Sequence, residues 1–281
     1  MPSWRRRFGS RVPALASALL ALVGTAGCGV LSTSSAAGTF RPATRGVLTV
    51  VTSDVPTPGF WYGTAAHPTG GFEYELARLL AERFGLHAVR VRIELFPRVV
   101  EGDLRGADLA LDLITPTSER ESKLDFSTAY YTGPPAVVVR RGIAIPDLVA
   151  AESLRWGTIR ASTFVDDIRT LVAPRKPIAM FEGEPQVLAA LREGRIDASI
   201  FDLPLAVAIA SHSGGTLEVA AELPSSELIA AALPKGSGNV QAVDSAIRAF
   251  IAAGTVKALF DRWVGSSVTD ASIPLLHTTR S

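Results

Sequence analysis

The chain has 281 residues, 47% of them hydrophobic and 20% charged, enough apolar material for one large domain or two of roughly 100 residues each. A formal charge of +1, with Arg and Lys scattered among Asp and Glu, gives no electrostatic case for nucleic-acid binding. One cysteine rules out an internal disulfide framework. The four histidines (His67, His87, His212 and His277) lack metal-ligand spacing, and no nucleophile-elbow, P-loop or dinucleotide motif occurs, so neither metal nor cofactor is expected.

In chain order, the N-terminus comes first. Arg5, Arg6, Arg7 and Arg11 precede the apolar run VPALASALLALV (12–23), and GTAGCGV (24–30) follows. The apolar run is too short to span a bilayer and reads as an export signal, by the general route or the twin-arginine one. The segment resembles a bacterial lipoprotein signal, which implies cleavage after residue 27 and lipidation of Cys28; a plain secreted protein is the alternative. Removing four arginines and no acid would take the formal charge from +1 to about −3. Residues 28–45, rich in Ser, Thr, Ala and Gly, read as a flexible tether.

From Gly46 onward, strands alternate with helices, which predicts α/β lobes with mostly parallel sheets flanked by helices. VLTVVTS (47–53) is a strand. FEYELARLLAERFG (72–85) is a helix with Phe72, Leu76, Leu79, Leu80 and Phe84 on one face and Gly85 as its stop. The strands 89–95 and 107–113 follow, with a short helix near 97–104 between them. A second set begins near Arg155: strands at 156–159, 178–182 and 198–202, and helices from about Thr163 and at 185–194. LRGADLALD (104–112) and LREGRIDASIFD (191–202) share one pattern of helix end, glycine, apolar strand and terminal aspartate. Two similar lobes are expected, with Asp112 and Asp202 at strand carboxyl ends, where open α/β sheets take their ligands. The runs 136–142 and 227–238 read as the two connectors of a hinge.

Within ITPTSERESKLDF (114–126), Ser118 and Glu121 have capping-box spacing after a proline-restricted stretch, so a helix starts near Ser118. Arg120 then sits in its first turn, beside unpaired N–H donors and the positive end of the dipole, and an anion is needed to make that favourable. A solvated arginine paired with Glu119 or Asp125 is the alternative.

These segments, with GVLTVVTS, GGFEYELARLLAERFGL, LREGRIDASIFDLPLA, AALPKGSG and DRWVG, resemble the amino-acid-binding family of periplasmic solute-binding proteins over about residues 46–267. The resemblance implies the two-lobe type II periplasmic-binding-protein fold, with a ligand cleft between the lobes. It implies lobe 1 from 46–136 and 235–267, lobe 2 from 137–234, and a C-terminal tail at 268–281. It further implies a lipid-anchored monomer outside the cytoplasm, which captures a free amino acid for the permease of an ABC importer and catalyses nothing. Arg120 would grip the ligand's α-carboxylate, helped by Thr115, Ser162 and Thr163, and Asp202 would take the α-ammonium. Taken alone, Asp202 could instead cap the helix after it. Ala161 stands where relatives usually carry glycine. Phe60, Trp61 and Phe96 are the candidates for sandwiching the ligand, with core packing as their alternative. Asp54 and Asp112 would face the ligand's side chain, which suggests a polar and cationic amino acid such as arginine, lysine or histidine; glutamine, glutamate and other polar amino acids are the alternative. Asp112 could otherwise pair with Arg160, and Asp54 could cap a turn at Pro56. The competing functions are a prephenate or arogenate dehydratase on the same fold, and a sensory module working through a membrane partner.

Overall fold

The computed structural model describes residues 39–265 and 273–276. The expected signal peptide, Cys28 and most of the tail lie outside the described residues.

A β-branched run with both faces apolar makes β1 (Val47–Thr52), five of whose six residues are buried. The small hairpin β2 (Tyr62–Gly63) and β3 (Pro68–Gly70) leads into α1 (Phe72–Arg83). Next come β4 (Ala88–Ile93), α2 (Phe96–Val100), β5 (Leu109–Ala110), α3 (Ser118–Glu121) and β6 (Leu124–Gly133). The chain then crosses, at Pro134, into a second sheet through β7 (Pro135–Arg140). There it forms α4 (Leu148–Ser153), β8 (Gly157–Ile159), α5 (Phe164–Asp167), β9 (Ala179–Phe181), α6 (Glu184–Arg192), β10 (Ala198–Asp202), α7 (Leu203–His212) and β11 (Leu217–Glu222). It returns through β12 (Glu227–Pro234), and α8 (Val240–Ala252) and α9 (Thr255–Phe260) pack back on the first lobe, α8 against β6 and α9 against α1.

The first sheet runs β4-β1-β5-β12-β6, parallel across β4, β1 and β5 and antiparallel on both sides of β12. In the second lobe β10-β7-β11 is antiparallel, β8 and β9 pair parallel, and a parallel bridge from Trp156 to Ala198 joins the two groups. This is the two-lobe α/β architecture.

Three expectations change. The run 136–142 is mainly the middle strand β7, and 227–234 is a strand inside the first sheet, so the crossings are the short segments beside Pro134 and at 223–226. A run that is apolar on both faces over most of its length is a strand buried on both faces, not a connector. The helix cap is Thr117, one residue earlier than Ser118: its side chain accepts from the Arg120 N–H at 3.3 Å. Residues 39–45 are not a free tether. Phe40 stacks on Phe84 with centroids 4.2 Å apart, and the Ala43 N–H donates to Asp108 at 2.7 Å, so apolar and hydrogen-bond contacts dock this strip on the first lobe.

Gly71 precedes α1 with φ 114, and a β-carbon there would meet the Phe60 carbonyl oxygen at 2.1 Å, so only glycine allows the approach. The buried face of α1 carries Phe72, Leu76, Ala77 and Leu80, and also Glu73, 1% exposed. The Glu73 carboxyl accepts from Trp61 Nε1 at 2.9 Å, from the Leu113 N–H at 3.0 Å and from the Tyr130 hydroxyl. Burial pushes its pKa up, and these three bonds oppose the shift. One carboxyl thus ties the 61 loop, the end of the β5 segment and β6 to α1. Glu73→Ala would strand three buried donors, and we expect denaturant unfolding to show a loss of about 2–5 kcal/mol.

Candidate functional site

The two lobes face each other across a narrow cavity of about 60 Å³, and Arg120 is the one basic side chain among the residues lining it. Arg120 is 6% exposed and holds both walls: Nη1 donates to the Thr115 carbonyl at 2.8 Å and Nη2 to the Ala161 carbonyl, in the other lobe, at 2.8 Å. Its guanidinium lies 5.4 Å from the centroid of the Phe96 ring. Burial lowers its pKa to about 10, against the pull of Glu227 and other acids, so it stays charged at neutral pH. The surface alternative fails, because Asp125 pairs with Lys235 and Glu119 with Lys123. Ala161 holds its carbonyl toward Arg120 from φ 62, the left-handed region where glycine is easier.

Asp202 ends β10 in the opposite wall, 4% exposed. It occupies the N-cap position of α7, yet its side chain makes no capping bond, and Oδ1 is buried without a partner. Burial, then the nearby Glu227, push its pKa up to about 8. Ser162 and Thr163 line the same cavity, with the Ser162 hydroxyl 3.3 Å from that of Thr158. Thr115 is present too, but its hydroxyl bonds to Glu227 instead of turning toward the Arg120 fork.

Asp54 and Asp112 stand at the ends of β1 and β5. Asp112 Oδ1 accepts from the Thr52 hydroxyl at 3.0 Å, the Ser53 N–H at 2.9 Å and the Ser53 hydroxyl at 2.8 Å, while Oδ2 is buried with no partner. Burial raises Asp112 to about 8. It does not pair with Arg160, which bonds to Glu182. Asp54 does not cap the Pro56 turn through its carboxyl; it accepts the Glu184 N–H across the cleft, and burial raises it to about 6.

Phe96 lines the cavity as expected, whereas Phe60 and Trp61 do not. Both lie in the core: Phe60 packs edge-on against Phe72, and Trp61 is tied by its indole N–H to Glu73. The PGFWYG turn folds inward beneath α1, which turns these rings away from the cleft. Sequence reading missed Glu184. It opens α6 at the carboxyl end of β9, is 7% exposed, and is raised to about 8 by burial and by Asp54 and Asp112. Gly-Glu-Pro straight after a strand was the available signal, because it sets an acid at the edge where such sheets meet ligands.

Comparison with known proteins fits this geometry. The chain is 28% identical over 237 residues to the L-cystine-binding protein TcyJ of Escherichia coli (strain K12), covering 80% of this chain and 85% of that protein. It is 25% identical over 185 residues to the L-arginine-binding protein of Pseudomonas aeruginosa, 65% of this chain and 69% of the other. The structure of an ancestral arginine-binding protein bound to glutamine superposes with a TM-score of 0.70 at 25% identity, over 79% of this chain and 99% of that one. Residues 48–266 match one family throughout, and the chain belongs to the bacterial extracellular solute-binding proteins, family 3.

Proposed function

We propose that this protein captures one free polar amino acid outside the cytoplasm and delivers it to the permease of an ABC importer, held to the membrane by a lipid on Cys28. One observation carries the reading: Arg120 and Asp202 face one cavity from two lobes, both buried, and neither is ion-paired within the described residues. A zwitterion answers both. Its carboxylate replaces the Ala161 carbonyl on the guanidinium and adds charge to the bond, while its ammonium supplies the donor for Asp202 Oδ1. Thr115, Ser162 and Thr163 stand beside the carboxylate end. The curated relatives, named for cystine, arginine and glutamine, support an amino acid as ligand.

Entry requires the lobes to part, which breaks the Arg120–Ala161 and Asp54–Glu184 contacts; ligand then bonds to both walls and favours closure. We infer capture without turnover and a monomer. The cleft residues bind and orient both ligand ends, so an assay with prephenate is expected to show none consumed. A calorimetric screen of the common amino acids tests the reading directly, and Arg120→Ala and Asp202→Ala should each weaken the bound amino acid by about 2–5 kcal/mol, since each strands a buried ligand charge.

Acids raised by burial also make stability depend on pH. Asp112, Glu184 and Asp202 are raised to about 8, and Asp54 and Asp167 to about 6, so between about pH 4 and 8 the folded state holds protons that the unfolded chain has lost. Their contribution is complete below the ordinary carboxylate pKa and fades as pH rises through the folded values. The carboxylates lowered by partners, such as Asp197 at about 2, lose theirs only below that window. Thermal unfolding of the ligand-free protein should therefore occur at lower temperature at pH 8 than at pH 5, and Asp112→Asn should flatten the profile. For the anchor, Cys28→Ser should move the protein from the membrane fraction to the soluble one, or leave its signal uncleaved.

A further inference from the structure

The α-carboxylate and α-ammonium of an amino acid use Arg120 and Asp202, and this leaves three more carboxyl groups in one part of the cleft. Asp54 and Asp112 belong to the first lobe and Glu184 to the second. The Glu184 N–H bonds to Asp54, and a β-carbon on Gly183 would lie 3.3 Å from Asp54 Oδ2, so the 183–184 turn sits directly against that carboxylate. Glu184 is 93% buried by its 7% exposure, lines the cavity, and its carboxyl has no hydrogen bond or ion pair among the described residues. Asp112 is pinned through Oδ1 by three donors, which leaves the buried Oδ2 open.

A helix-start glutamate needs no burial to favour the dipole, and the α6 dipole does not account for Asp54 and Asp112 beside it. A metal does not account for the group either: among the described residues no set of three acidic, His or Cys side chains is arranged to hold one. No Lys, Arg or His lines the cavity except Arg120, which is committed to two carbonyls. Arg192 acts on Glu184 from outside the lining, so a cation inside the cavity has to arrive with the ligand.

We propose that Glu184, with Asp112 and Asp54, forms a pocket spanning both lobes for a single positive charge at the tip of the ligand's side chain, an ammonium or a guanidinium, and that Glu184 decides this specificity. The proposal rests on the amino-acid-capture reading and narrows it. The cation would bridge Asp112 and Asp54 of one lobe to Glu184 of the other, so the pocket is complete only when the lobes are closed. Burial raises all three carboxyls, and the one cation acting against it on any of them is Arg192 on Glu184, an exposed side chain that does not line the cavity. Cystine suits the pocket badly although a cystine-binding protein is 28% identical, because the far end of cystine carries a carboxylate as well as an ammonium, and no cation lines this part to receive it.

The test is calorimetry on the purified full-length protein with L-arginine, L-lysine, L-glutamine and L-cystine. The wild type should bind arginine or lysine more tightly than the other two. In E184Q, which keeps the shape and removes the charge, affinity for the basic amino acid should fall about tenfold or more, and for glutamine much less. D54N should show the same pattern, which guards against a folding defect peculiar to one variant. Equal losses for arginine and glutamine, or tighter wild-type binding of glutamine or cystine, would overturn the cation pocket while leaving amino-acid capture standing. Binding of no amino acid at all would instead remove the capture reading, and this pocket with it.

Discussion

The buried guanidinium of Arg120 is the charge around which the cleft is organised. Taking a cation out of water costs several kcal/mol unless polar groups replace the lost hydration. Two carbonyls, one from each lobe, and the face of Phe96 replace it here, and surrounding acids keep it protonated. The arrangement dictates much of the local backbone. Thr117 caps α3 to set the turn that carries Arg120, and Ala161 takes a left-handed conformation to aim its carbonyl across the cleft. Carbonyls solvate a guanidinium but do not neutralise it, so the fork keeps its preference for a carboxylate.

The rest of the cavity has the opposite imbalance. Asp54, Asp112, Glu184 and Asp202 all rise above the ordinary carboxylate range, first because burial disfavours their charged forms; neighbouring acids add to it, Glu73 for Asp112, Asp54 and Asp112 for Glu184, and Glu227 and Glu73 for Asp202. A closed cleft without ligand is therefore a proton-holding cleft. On the proposed capture, a ligand bringing positive charge would compete with those protons, and binding would then depend on pH through the same few groups.

Strain lies beside the cleft. Leu113 at φ 51 and Ala161 at φ 62 are two of the three non-glycine residues at positive φ among the described residues, one on each wall. Such conformations persist only when their surroundings hold them. For Leu113 the restraint is visible: its N–H bonds to buried Glu73, the carboxyl that also secures Trp61 and Tyr130. The hub in α1 thus shapes the loop that carries Asp112 into the cleft, which links core packing to the site.

What the sequence alone determined was local. Apolar β-branched runs placed the strands and a period-3.6 pattern placed α1, the Thr115-Pro116-Thr117 stretch placed the start of α3, strand-end position marked Asp112 and Asp202, and a cation in the first turn of a helix marked Arg120. Glu73 and Glu184 were legible in part, the first as an acid on an apolar helix face and the second as an acid straight after a strand, but their surroundings include residues far away in the chain, Leu113 and Tyr130 for Glu73 and Asp54 and Asp112 for Glu184. Only the tertiary structure decided which all-apolar runs were central strands and which short segments were crossings, since both kinds of connection look alike until the sheets pair. It also decided the fate of the aromatics: Phe60 and Trp61 turn into the core and Phe96 faces the cleft, because the direction of a ring follows from how its turn packs under α1. Partner choice was likewise tertiary. That Arg120 reaches Ala161 and Asp54 reaches Glu184 follows from two lobes folding against each other, and hydrogen bonds between groups far apart in the chain leave no trace in local sequence spacing.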